Sequence, residues 1–210
     1  RSRGLGDVYK RQVLKTFSIE NEPVVELVNN REREYIFADL PDIGYSTDID
    51  TVMASSYQVK KQLQQIVKIE QPITNTLLYK RILRIWNLTR VTTRLQVFID
   101  SLLEDAYKDP LSGDTIIYWE DEEKAKDCDF YRINSKRDIL DIPILEVMSA
   151  ARYAIEQQIS MPTEDLKRLT SQLLGFSRKG TNLDMVTEQT IQLPVSYTHL
   201  RAHETDQYLV

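Results

Sequence analysis

Two stretches of this chain repeat one apolar pattern about 88 residues apart, and that repeat constrains the fold more than any other feature. Leu78, Ile85, Trp86 and Leu88 in the first stretch correspond to Leu166, Leu173, Leu174 and Phe176 in the second. Thr89, Arg90 and Leu95 correspond to Ser177, Arg178 and Leu183. In both, apolar residues recur at helical spacing, break off at Asn87 or Gly175, and resume. Asn and Gly are the residue types that tolerate the left-handed conformation at a helix end. Two helices joined by so short a turn predict a helix-turn-helix, present twice.

The first copy carries more than the motif itself. Val59, Leu63, Ile66 and Val67 predict a leading helix from about Tyr57 to Glu70, with Ser55 and Ser56 as caps. Pro72 breaks it, and Thr74 caps a second helix with Leu78, Ile82, Ile85 and Trp86 on its buried face. A third helix follows the turn, with Val91, Leu95, Phe98, Ile99, Leu102 and Leu103 on one side. The period then changes to that of strands at Thr115 to Trp119 and again at Phe130 to Ile133. These two runs predict a hairpin with a long acidic loop, Glu120 to Asp129. A hairpin after the third helix is a wing.

In the second copy, Asp141 and Pro143 open a helix bearing Ile144, Val147, Met148, Ala151 and Ile155, and Pro162 opens the next. The expected fold class is therefore α+β and mostly helical, a tandem winged helix-turn-helix whose second copy stops before its wing. Both ends read as foreign. Asp7 to Gln12 and Val195 to His199 follow from one DNA word and its reverse complement, as a translated sequencing adapter would. The expected boundaries are adapter over 1–12, a linker over 13–56 with a short helix near Val24 to Asn30, a first winged helix over 57–136, a second helix-turn-helix over 137–193, and adapter over 194–210.

Setting the ends aside changes the chemistry available. The only histidines, His199 and His203, lie there, and Cys128 is the only cysteine. The remainder offers no histidine base, no cysteine and histidine pair, no zinc cluster and no disulfide framework. Its glycines, Gly44, Gly113, Gly175 and Gly180, are scattered, so no phosphate-binding loop is present. No catalytic residue, metal site or cofactor is expected. Five of the 27 basic residues and three of the 32 acidic ones lie in the ends, so the rest carries a net charge of about −7. No apolar run approaches a membrane span. A lone cysteine fits the reducing cytoplasm, the expected location.

The candidate contact surface is a basic set at the helix-turn-helix: Lys80, Arg81, Arg84, Arg90 and Arg94, with Arg178, Lys179 and Asn182 in the second copy. This is where such units touch the nucleic-acid backbone. The same residues also fit a solvated face with local salt bridges. Asp100, Glu104 and Asp105 on the third helix, and the acids of the expected wing, oppose phosphate and favour a protein partner. Asp114, Glu122 and Lys124 imitate a metal-dependent nuclease pattern, which stays a remote alternative because a metal clamp needs adjacent rigid strands and Glu122 and Lys124 fall at a loop tip. Trp86, Tyr118, Trp119, Phe130 and Tyr131 could stack on bases, yet their spacing assigns them to the core.

Several segments together resemble the domain of unknown function 3320, found near the C-terminus of large bacterial superfamily 1 helicase-like ATPases. They are Ile69 to Ile73, Lys80-Arg81-Ile82, Thr89-Arg90 with Arg94, Tyr118-Trp119, Tyr131-Arg132, Asp141 to Glu146, and Leu174 to Arg178. The resemblance spans about Tyr57 to Leu193. It implies a parent protein with an ATP- and Mg-dependent motor and, in many members, a nuclease-like domain. In that parent this segment would be a non-catalytic accessory module, with DNA and the upstream domains as partners.

Overall fold

The computed structural model describes residues 30–45, 47–109, 115–133, 136–157, 162–178 and 180–192. Both ends, the stretch 13–29 that includes most of the expected short helix at Val24 to Asn30, and the candidates Asp114 and Lys179 lie outside them. The fold is α+β and mostly helical.

Strand β1 (Glu32–Glu34) and short helix α1 (Ile49–Ala54) lead into α2 (Ser56–Glu70). After the two-residue strand β2 (Ile73–Thr74) come α3 (Asn75–Ile85) and α4 (Thr93–Leu102). Thr74 and Thr92 cap these helices through their hydroxyls, which accept from Leu77 N and Leu95 N at 3.3 and 3.2 Å. Strands β3 (Tyr107–Lys108) and β4 (Ile117–Trp119) follow, and with β2 they form an antiparallel sheet of order β2-β4-β3. The three helices close on a core of Val59, Leu63, Ile66, Leu78, Ile82 and Ile99, each fully buried, with Tyr118 of β4 beneath them.

The second half comprises α5 (Glu122–Lys126), β5 (Tyr131–Ile133), a turn of 3-10 helix (Ile139–Asp141), α6 (Ile144–Glu156), α7 (Thr163–Leu173) and α8 (Thr181–Gln192). A second core gathers Tyr131, Ile139, Ile142, Val147, Ala150, Leu174 and Leu183. Trp119 and Ile117 of β4 meet Leu145 of α6 and Ala125 of α5 between the two.

The repeat survives in three dimensions. Helices α3 and α7 begin and end 88 residues apart, and α2 and α6, like α4 and α8, begin 88 apart. Asn87 and Gly175 both take positive φ, 47° and 89°. Around them Leu88 N donates to Leu83 O and Asn87 N to Arg84 O, as Phe176 N does to Ser171 O and Gly175 N to Gln172 O. This is the paired-bond helix termination that a left-handed residue permits, twice at the same offset.

Three expectations require correction. The expected hairpin does not form: β4 pairs with β2 and β3, whereas β5 pairs in parallel with β1, Glu32 opposite Tyr131. Strand composition signals a strand but not its neighbour, and the true partners, two or three residues long, are too short to show a period. Glu120 to Asp129 is accordingly not a wing loop. It contains α5, capped by Asp121, with Ala125 buried and Lys124 and Lys126 paired to Glu120 and Glu122. Finally, residues 30–45 and 47–56, expected within a linker, belong to the fold: β1 and β5 form a separate two-stranded sheet, and Tyr35, Ala38 and Val52 are buried in the first core. Alternating charge at Arg31 to Glu34 hid this, since a short strand held by its backbone needs no apolar face.

Candidate functional site

The candidate cations separate by what already holds them. Lys80 Nζ binds both carboxylate oxygens of Asp141 at 2.7 and 2.6 Å, joining α3 to the start of the second half. Asp141 is buried and also accepts from Thr76 Oγ1, while its carbonyl accepts from Thr74 Oγ1. Arg81 turns inward, donating to Ala38 O and pairing with Glu70 at 2.8 Å. Arg81 is thus engaged inside the fold, whereas Lys80 keeps an exposed stem while its ammonium is held by a buried carboxylate. Arg94 pairs with Asp50 at 2.8 Å, but both groups are exposed and such pairs contribute little.

Arg84, Arg90 and Arg178 are different. All three are exposed, and among the described residues none is paired with a carboxylate or laid on an aromatic ring. Arg84 stands before the turn of the first copy and Arg90 after it, and Arg178 repeats the position of Arg90. Asn182 is exposed on α8, where the first copy has Arg94.

The acidic residues set against phosphate are also partly neutralised. Asp100 does not project from α4 into solvent. It accepts from Tyr79 Oη at 2.8 Å and from Tyr118 Oη at 3.0 Å. Burial and the nearby carboxylate both push the tyrosines' titration upward, which keeps their hydroxyls as donors. Asp105 is bound by Lys60 at 2.9 Å. Trp86, Tyr118, Trp119, Phe130 and Tyr131 are all buried and present no stacking face.

A second constellation was not among the candidates. Glu146 of α6 is fully buried and held by Arg137, whose Nη1 and Nη2 donate at 2.8 and 2.9 Å, and by Arg132. The Arg132 backbone N–H donates to the same carboxylate at 2.9 Å. Its guanidinium reaches the other half of the molecule, donating to the carbonyls of Glu70, Gln71 and Pro72 at 2.7, 3.2 and 2.6 Å. The Gln71–Pro72 peptide bond is cis. Both guanidinium groups lie over the Tyr35 ring, 4.7 and 4.3 Å from its centre, and Tyr35 Oη donates to Glu70 at 2.5 Å. Burial would push the Glu146 carboxyl up, but Arg132 and Arg137 outweigh it and hold the group down at about 2. The signal available in sequence was a charge at a core position. Glu70 falls four residues after Ile66 on the buried stripe of α2, and Glu146 sits between Leu145 and Val147.

This cluster clamps the two halves together through its carboxylates and guanidinium Nη groups, with Arg132 Nε buried and without a hydrogen-bond partner among the described residues. The Cys128 thiol is pushed up to about 12 by burial and is not a thiolate. Among the described residues no group of three histidine, cysteine or carboxylate side chains is arranged to hold a metal ion. No helix among them is long and apolar enough to cross a membrane.

The family model DUF3320, described as a protein of unknown function, matches residues 54–97. The matched stretch runs from α2 into α4 and includes the first turn and Arg84, Arg90 and Arg94. No curated protein and no solved structure matches the chain.

Proposed function

We propose that the chain is a non-catalytic accessory module of tandem winged-helix type, which contacts DNA through the arginines of its helix-turn-helix turns. The order α2, β2, α3, α4, β3, β4, with β4 central in its sheet, supports the winged-helix reading. The observation that carries the DNA reading is the set of unpaired arginines. Arg84, Arg90 and Arg178 have no carboxylate partner among the described residues, in a chain with more acids than bases, and two of them occupy one position of a repeat. A guanidinium left open there suits a phosphate oxygen. In a helicase-like cytoplasmic parent the module would orient DNA for the motor, which alone would use ATP and Mg.

Fluorescence anisotropy of the whole chain with labelled duplex and single strand tests this. Micromolar binding should weaken steeply with salt, and Arg84→Glu with Arg90→Glu should remove most of it. Loss of about one unit of salt slope per removed phosphate contact is expected. Binding that ignores both variants, or no binding at low salt, sinks the reading.

A protein-docking role is favoured instead by the net negative charge and by the side chains of Ile36 and Phe37, 66% and 47% exposed. It predicts association with the parent's motor domain that Phe37→Ser abolishes and Arg90→Glu leaves intact.

A further inference from the structure

We propose that α8 is a detachable helix, docked weakly enough to leave α6 and α7 while the rest of the fold stays closed. The repeat shows where its docking is weakened. Ile99 and Leu102, which α4 turns toward the first core, become Thr187 and Thr190 on α8, 88 residues on, and Ile82 of α3 becomes Thr170 of α7. All three threonines are buried, at no more than 1% exposure. Each exchange puts a hydroxyl where the first copy has hydrocarbon, and so removes part of the apolar area that would hold the helix down. Leu183 and Val186 remain as its apolar contacts with the second core.

The hydroxyls themselves ease the opening. Thr187 Oγ1 donates to Leu183 O at 2.8 Å and Thr190 Oγ1 to Val186 O at 2.7 Å, so both are satisfied within α8 and stay so after it leaves. Thr170 Oγ1 is buried with no hydrogen-bond partner among the described residues. A hydroxyl in that state destabilises the closed form, and an opening that admits water relieves it. The polar tie between the paired helices is weaker too. Tyr79 of α3 donates to Asp100 of α4 at 2.8 Å, whereas at the same positions of the second copy Lys167 meets an exposed Glu188 at 3.5 Å, where solvent screens the pair. The second copy thus keeps the helix pairing of the first without its grip. Arg178 stands in the turn before α8 and Asn182 on the helix itself, so the candidate surface is fixed in the first copy and adjustable in the second.

Amide hydrogen exchange of the whole chain tests this. The open form is a minor state, about 0.1–10% of molecules, and leaves global unfolding a single transition. After correction for intrinsic rates, amides of α8 should exchange about a hundredfold or more faster than those of α4. Low urea should speed α4 and leave α8 almost unchanged, because a local opening exposes little surface. Thr170→Val removes the orphaned hydroxyl at nearly constant shape, and Thr187→Val with Thr190→Val adds apolar surface to the docked face of α8. Each change should slow exchange in α8 about threefold or more, with circular dichroism confirming that the variants fold. Met185→Ala, on the exposed side of α8, should alter it less than about twofold. Exchange in α8 as slow as in α4, equal urea dependence of the two, no slowing by the valine variants, or an equal slowing by Met185→Ala would each overturn the proposal.

Discussion

Glu146 is the residue on which the most depends. A carboxylate at 0% exposure is tolerated only because two guanidinium groups and a backbone N–H converge on it. Removing one partner of such an arrangement leaves the others buried and uncompensated. Glu146→Gln is therefore expected to cost about 3–5 kcal/mol in urea denaturation. Breaking the exposed Arg168 and Asp165 pair, also 2.9 Å long, should change nothing measurable. The contrast follows from solvent, not from distance. Because the folded carboxyl titrates at about 2 and its ordinary value is 4.5, its stabilisation is complete above pH 4.5 and is lost as pH falls through 2. Denaturation midpoints of the wild type should drop across that window, and the Gln variant should drop less.

At the scale of elements, the turns between paired helices test whether the repeat is one design used twice. Gly175 has φ 89° and nothing within 4 Å of where a Cβ would stand. Gly175→Ala should cost about 1 kcal/mol through backbone strain alone, with no steric clash to add to it. Asn87 occupies the same turn with a side chain already present, at φ 47°. Asn87→Gly should be within a few tenths of a kcal/mol of neutral, and Asn87→Ala should lose about as much as Gly175→Ala. Thermal unfolding of the three variants decides it. Equal costs for Asn87→Gly and Asn87→Ala would mean the side chain of Asn87, not its backbone, holds the first turn.

For the whole molecule, Arg132 is the joint. Its side chain ties the α2–β2 loop of the first unit to Glu146 of the second, and Lys80 to Asp141 adds a tie nearby. Units linked through buried charges cannot separate without exposing them unpaired, so unfolding should be a single transition. Trp86 reports on the first unit and Trp119 on the contact between the two, while the helix in α6 to α8 reports on the second. Tryptophan fluorescence and far-UV circular dichroism should give coincident midpoints in urea. Arg132→Met should separate them.

Much of the architecture could be read before any coordinates. Core helices announce themselves because every third or fourth residue must be apolar, and an 88-residue repeat of that pattern carries its turn with it, Asn87 and Gly175 included. Caps such as Thr74 and Thr92 are equally local, since a hydroxyl meets an N–H three residues on. Partners distant in the chain were not local. The pairing of β5 with β1 rather than β4, the inward turn of Arg81, the withdrawal of Asp100 and the convergence of Glu70, Arg132, Arg137 and Glu146 each join residues far apart or facing the interior. A charge looks the same in sequence whether water or a guanidinium surrounds it. Of the basic set that marked the candidate surface, local pattern could supply the positions, and only the folded chain could divide Lys80 and Arg81, paired with buried carboxylates, from Arg84, Arg90 and Arg178, which have no carboxylate partner among the described residues.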